Sequence, residues 1–236
     1  MKAVVKLLII AALFIALGSL AYGSSITLGS YGTGQNPQGA ANSALAYLGY
    51  DANTPIITGI GSGATYNLNG DLSPWAGPIG GSNWVSEDPH STIAGGSAPP
   101  NGYYTYTTTF DATPGSYSGS LAIYADDTAE VYLNGTLVVA FDTNTHNGPC
   151  ALDHNGPGCV GDPFQAIFDV TLQSENVLTI VDWQSNGWAA GIDFDGTLSG
   201  GEPNPLNATP EPGSLLLLGT GLSGLAALIS RKMKAR

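Results

Sequence analysis

Residues 129–141 read AEVYLNGTLVVAF, and this stretch decides the fold class. Glu130-Val131-Tyr132-Leu133 and Thr136-Leu137-Val138-Val139 are short runs of strand-favouring residues on either side of Asn134-Gly135. Asn-Gly is the pair that best tolerates two successive positive φ angles, the requirement of a two-residue hairpin turn. The stretch therefore predicts an antiparallel β-hairpin.

The same period extends outward. Tyr104, Tyr106, Thr108 and Phe110 alternate with Thr105, Thr107 and Thr109, and Leu121, Ile123 and Ala125 repeat the pattern. Phe164, Ala166, Phe168, Val170 and Leu172 fall on one face of a further strand, with two more over Val177–Trp183 and Ile192–Leu198. No segment in this region sustains a helical period, and a chain-wide total of 33 Gly and 15 Pro suits many short strands joined by turns. Short strands joined by turn residues predict an all-β, antiparallel β-sandwich. The pattern is clearest over 101–200 of an ectodomain spanning 24–200. Ser24 to about Pro100, rich in Gly, Ser, Asn and Pro, reads as turns and short strands.

The two ends read differently. Lys2 and Lys6, the apolar run Leu7–Leu20, and small residues at Ala21 and Gly23 make residues 1–23 a signal peptide for a Sec-type export machinery. At the other end, residues 201–212 form a linker that closes on Pro210-Glu211-Pro212. Gly213–Ser230 is uncharged and mostly apolar; as a helix, 18 residues at 1.5 Å each span about 27 Å, close to a hydrocarbon core. We read 213–230 as a transmembrane helix and 231–236, with Arg231, Lys232, Lys234 and Arg236, as a basic cytoplasmic tail.

Charge narrows the function classes. All six Lys and Arg lie in those two ends, whereas all 18 acidic residues lie between Asp51 and Glu211. Everything between the ends thus carries no Lys or Arg, which excludes nucleic acid as a partner. Carboxylates gathered by folding there must be solvated, protonated or bridged by a cation, and Ca²⁺ is the usual partner of oxygen ligands.

Asp126-Asp127 is the candidate Ca²⁺ pair; the competing reading is a solvated turn. Asp193 and Asp195 alternate along a strand and so share a face, read as a solvated outer one. Cys150 and Cys159 are the only cysteines. Outside the cytoplasm a disulfide is favoured, although His146 and His154 in the flanking repeat would also permit a Zn²⁺ site. Trp75, Trp84, Trp183 and Trp188 could each stack on a sugar ring, with core packing the default for any one of them; Trp188, between Gly187 and Ala189 in a loop, is the leading candidate, with Asn134 as a second candidate contact. No Gly-x-Ser-x-Gly elbow or His-Glu-x-x-His occurs, so no catalytic residue is assigned.

Two resemblances add to this reading. Pro210-Glu211-Pro212, the apolar run and the basic cluster together resemble the PEP-CTERM sorting signal of Gram-negative bacteria that make exopolysaccharide. That resemblance implies handling by an exosortase, anchoring in the inner membrane before processing, and a final place at the cell surface, outer envelope or extracellular matrix. Residues 101–200 resemble galactose-binding-like (jelly-roll) β-sandwich domains. The landmarks are Tyr103–Phe110, Ala125-Asp126-Asp127 leading to Asn134-Gly135, Asn176-Val177-Leu178 and Gly191-Ile192-Asp193-Phe194. The Asp-Asp and Asn-Gly portion is also similar to the sugar-binding domain named after anthrax protective antigen, which implies Ca²⁺ and a sugar at the paired aspartates. The expected function is a non-enzymatic envelope or matrix protein contacting exopolysaccharide. The rivals are a secreted hydrolase on the same scaffold and a structural envelope protein with no ligand.

Overall fold

The computed structural model describes residues 24–31, 38–68, 75–91, 99–142, 150, 156–185 and 189–201. The signal peptide, Pro210-Glu211-Pro212, the transmembrane helix, the basic tail, Trp188, His146 and His154 lie outside the described residues. The chain divides into two compact units, Met1–Glu202 and Pro203–Arg236, and every described residue belongs to the first.

The described residues form eleven strands: β1 (Ser24–Gly29), β2 (Ala41–Asp51), β3 (Gly63–Asn67), β4 (Val85–Ser86), β5 (Gly102–Asp111), β6 (Gly115–Asp126), β7 (Thr128–Leu133), β8 (Thr136–Val139), β9 (Phe164–Leu172), β10 (Glu175–Gln184) and β11 (Gly191–Gly200). Every pairing among them is antiparallel. One layer runs β8-β7-β10-β5-β2-β3 and the other β11-β6-β9. β4 pairs with both β3 and β11 and so joins the layers at one margin. β1 runs along the Asp195–Gly200 half of β11.

Strand alternation sends one face of each layer inward. Tyr104, Tyr106, Val131, Leu133, Leu178 and Ile180 of the first layer pack with Tyr117, Leu121, Ile123, Phe194 and Leu198 of the second in one continuous core. A fully buried Leu- or Phe-sized side chain contributes roughly 1.5–3 kcal/mol of transfer free energy, so this face outweighs local propensity in fixing register.

The hairpin of β7 and β8 forms as its sequence predicts. Asn134 and Gly135 take φ of 52° and 76°, the double left-handed turn that suits a twisted two-residue hairpin. The Asn134 side chain then locks the turn to its neighbour: Val177 N–H donates to Asn134 Oδ1 at 2.9 Å, and Asn134 Nδ2 donates to Asn176 Oδ1 at 2.8 Å.

One expectation needs correction. Residues 24–100 are not only turns and short strands, because β2 is eleven residues long and pairs with both β3 and β5. Its register shifts between Asn42 and Tyr47 against β3, and between Tyr47 and Gly49 against β5. Each irregularity breaks the period of two, so its buried positions Asn42 and Leu45 stand three apart and the strand is invisible to an alternation test.

Candidate functional site

β6 and β7 belong to different layers, and the chain crosses between them at Asp126-Asp127, whose peptide bond is cis. This corner is not a solvated turn. Asp127 is 1% exposed and Asp126 7%.

Asp127 acts as a three-way tie. Its N–H donates to Trp183 O at 2.9 Å. Its Oδ1 accepts from the Cys150 N–H at 3.0 Å, and its Oδ2 accepts from Ser185 N–H at 2.6 Å and Ser185 Oγ at 2.8 Å. The corner, the cysteine loop and the loop after β10 therefore meet on one carboxylate. Asp126 Oδ2 accepts from Trp75 Nε1 at 2.7 Å. Trp75 stacks on Trp84 with ring centroids 4.4 Å apart, and Trp84 stacks on Tyr124 at 5.7 Å. Burial pushes the Asp126 carboxyl well above the ordinary carboxylate range, the Asp127 charge adds to that, and the Trp75 hydrogen bond opposes it.

Cys150 and Cys159 form a disulfide with Cα atoms 5.2 Å apart. Both are buried against Leu68, Trp75, Trp84, Tyr124 and Ala189 in a second apolar cluster. Thiolates are consumed by this bond, so the cysteines supply no Zn²⁺ ligands. The sulfurs lie close to Asp126, and among the described residues these form the one group of three or more Asp, Glu, His or Cys whose ligand atoms all lie within 4.8 Å of one another. The contact between Cys150 Sγ and Asp126 Oδ1 at 3.8 Å is packing, because a disulfide sulfur has no proton to donate. The Asp126 and Asp127 side chains also hydrogen-bond to each other, which raises the Asp126 carboxyl further. Each Asp127 oxygen retains acceptor capacity, since an ionised carboxylate offers about four lone-pair sites.

Other predicted residues are placed less simply. Asn134 is committed to the Asn176–Val177 lock and rims a shallow hollow of about 200 Å³ with Ile57, Thr58, Gly59 and Thr179. It lies at the β7–β8 turn, away from the Asp126-Asp127 corner at the opposite end of β7. Asp193 and Asp195 do share the outer face of β11, but Asp193 is fully buried, contrary to the solvated reading. The segment around Ile79–Ser82 covers it: Asp193 Oδ2 accepts from Ile79 N–H at 2.8 Å, and its Oδ1 accepts from Ser30 Oγ at 2.9 Å and from Ser82 Oγ. Tyr31 OH donates to Asp195. Trp75 and Trp84 are core residues, and Trp183 packs on Tyr103 at 4.6 Å. His90 is exposed, with Nδ1 3.5 Å from Asp88.

Sequence reasoning passed over Ser185, Glu87, Asp182 and Gln184. Asp182 is fully buried and Gln184 is 2% exposed. A signal for both existed. They continue the core phase of Leu178 and Ile180 on β10, where a carboxylate and an amide are out of place. Glu87 accepts from Tyr106 OH at 2.6 Å and Ser86 Oγ at 2.9 Å, below that same region of the core.

Comparison with known proteins bears mainly on the tail. The family model for the PEP-CTERM protein-sorting motif matches residues 208–232. No curated protein matches the chain. Among solved structures, the chain is similar to a family 35 carbohydrate-binding module from Clostridium thermocellum at 12% identity, covering 74% of this chain and 97% of that one, with a TM-score of 0.34. A CBM35 from Paenibacillus barcinonensis matches at 13% identity over 73% of this chain and 97% of that one, TM-score 0.33. The GH26-CBM35 β-(1,4)-mannanase of Podospora anserina matches at 19% identity over 72% of this chain and 29% of that one, TM-score 0.32. Likeness at this level decides nothing about a ligand. The tail does identify the protein's route: the chain is an exported protein that carries a C-terminal PEP-CTERM protein-sorting motif behind an all-antiparallel β-sandwich.

Proposed function

We propose that this is a non-enzymatic envelope or matrix protein of a Gram-negative bacterium. An exosortase handles its tail at Pro210-Glu211-Pro212, and its sandwich binds extracellular polysaccharide at the Asp126-Asp127 corner with Ca²⁺. The observation that carries this reading is the convergence of three loops on Asp127 in a domain with no Lys or Arg. Convergent loops at one end of a sandwich offer a recess in which hydroxyl-rich ligands meet carboxylate and backbone groups. Bound there, Ca²⁺ would supply a positive centre for sugar hydroxyls. Asp126 and Asp127 would hold it, while the disulfide and Ser185 hold Asp127. Trp188, three residues beyond Ser185 in sequence, would be the residue that stacks on a sugar ring. The negative charge of the domain selects neutral polysaccharide, or anionic polysaccharide only through a bridging cation.

Retention of the purified protein on immobilised neutral exopolysaccharide, run in Ca²⁺ and in chelator, tests this. Retention in Ca²⁺ that is lost in chelator, and lost in Asp126→Asn/Asp127→Asn, is the expected result. Equal elution in both buffers, on neutral and anionic supports alike, overturns the sugar reading and leaves a structural envelope protein.

A further inference from the structure

We propose that Asp182 and Gln184 hold a divalent, oxygen-seeking cation of Ca²⁺ type inside the end of the sandwich, in a site separate from Asp126-Asp127 and independent of any sugar.

The argument begins with acceptors that have no donors. Asp182 has 0% exposure, and neither Oδ1 nor Oδ2 has a hydrogen-bond partner. Two positions along the same strand, Gln184 Oε1 is also buried without a partner, while its Nε2 reaches Ser185 O. Three orphaned oxygens therefore belong to one inward face of β10, in line with Leu178 and Ile180. Leaving a carboxylate buried and unpaired costs several kcal/mol in general, so native interiors pair such groups or neutralise them.

Among the described residues, no group is placed to do so. The residues across from Asp182 are Ala129 on β7 and Tyr104 on β5. Tyr104 OH is spent on Pro100 O at 2.7 Å, and the next tyrosine along the strand, Tyr106, donates to Glu87. The sandwich contains no Lys or Arg. The charged groups that act on Asp182 are Asp126, Glu87 and Asp127, all of the same sign. Burial and those three charges push the Asp182 carboxyl well above its ordinary range, the behaviour of an acid with no counter-charge. Protonation alone leaves the problem half solved, because a neutral Asp182 carboxyl that donates to Gln184 Oε1 still leaves its own second oxygen without a donor. A cation shared by these oxygens would need no further donor from the protein. An all-oxygen set of one carboxylate and one amide, completed by water, suits a hard cation, and the carboxylates of Asp126 and Glu87 balance its charge from farther out.

Terbium ion is the probe, because it replaces Ca²⁺ and glows when a nearby aromatic ring is excited; Tyr104 is directly across the ladder from Asp182. The protein is purified with its tail, stripped with chelator, and titrated with terbium and then with competing Ca²⁺. The expected result is saturable, aromatic-sensitised emission that Ca²⁺ displaces. It persists in Asp126→Asn/Asp127→Asn, and in that background its apparent Kd weakens at least about tenfold on adding Asp182→Asn or Gln184→Leu. Gln184→Leu keeps the test open if Asp182→Asn fails to fold, with circular dichroism reporting the fold. Absence of sensitised emission in the natural protein overturns the proposal. So does an apparent Kd left unchanged by Asp182→Asn or Gln184→Leu in that background, or emission that is lost with Asp126→Asn/Asp127→Asn.

Discussion

Asp193 and Asp182 are both fully buried, one in each layer of the sandwich, yet their surroundings are opposite. Asp193 accepts from two serine hydroxyls and a backbone N–H supplied by two distant segments. Those donors pull against the burial that raises its carboxyl. Asp182 accepts from nothing. A domain without Lys or Arg can place a carboxylate inside by surrounding it with neutral donors, as in the structural tie at Asp193. On the proposal above, Asp182 is instead a site completed by a cation from solution.

The largest effect should come from breaking the tie. Asp193→Leu leaves Ser30, Ser82 and the Ile79 N–H without their acceptor, and is expected to cost about 3–5 kcal/mol in a denaturant titration. Asp182→Leu in chelator should cost nothing and is expected to add about 1 kcal/mol, since it removes an unpaired buried acid. In Ca²⁺ the sign for Asp182→Leu should reverse. If both leucine variants lose equally in chelator, the contrast between the two aspartates is wrong.

Next in size is the disulfide that carries Cys150 to Asp127. Its separation of nine residues gives, on the loop-entropy relation, about 2.5 kcal/mol of stabilisation. Cys150→Ala/Cys159→Ala should lower stability by that amount and weaken any Ca²⁺ response at Asp126-Asp127. A full Ca²⁺ response in the double variant would show that Ser185 and Trp183 alone hold the corner.

The pH dependence sharpens the comparison further. Asp126, Asp182 and Asp193 all have carboxyls raised above the ordinary 3.8. Such groups favour the folded state in their protonated form, so their stabilisation is complete below about pH 4 and is lost as pH rises through their folded values. In chelator the melting temperature should therefore rise by several degrees on acidification from pH 7 towards pH 5. Asp182→Asn should flatten this slope more than Asp193→Asn, because hydrogen bonds already counter the shift at Asp193. A steeper slope at Asp193 would reverse the assignment of tie and site.

The smallest effects are expected away from both aspartates. Asn134→Ala loses the bonds to Asn176 and Val177 and strains a φ of 52°, about 1–2 kcal/mol in thermal melts. Ile167→Thr on the exposed face of β9, where Ile167 is 89% exposed, should fall within about 0.5 kcal/mol of zero.

By itself the sequence determined the parts whose physics is local or compositional. Asn134-Gly135 specified its own turn, because only positive φ at both positions closes a two-residue hairpin. Alternation located β5, β6, β9, β10 and β11, because each keeps an unbroken period of two against one core. Two cysteines in an exported chain specified their pairing, and the tail specified the export route. Tertiary structure alone decided the rest. β2 was hidden by its bulges, and the outer face of β11 became interior only because Ile79–Ser82 folds over Asp193. The Asp126-Asp127 corner became a junction only when Cys150 and Ser185, 23 and 58 residues away, arrived with their N–H groups. The core phase of β10 placed Asp182 inward from the start. That it stays without a donor there depends on where every neighbouring hydroxyl is committed, and no periodicity carries that information.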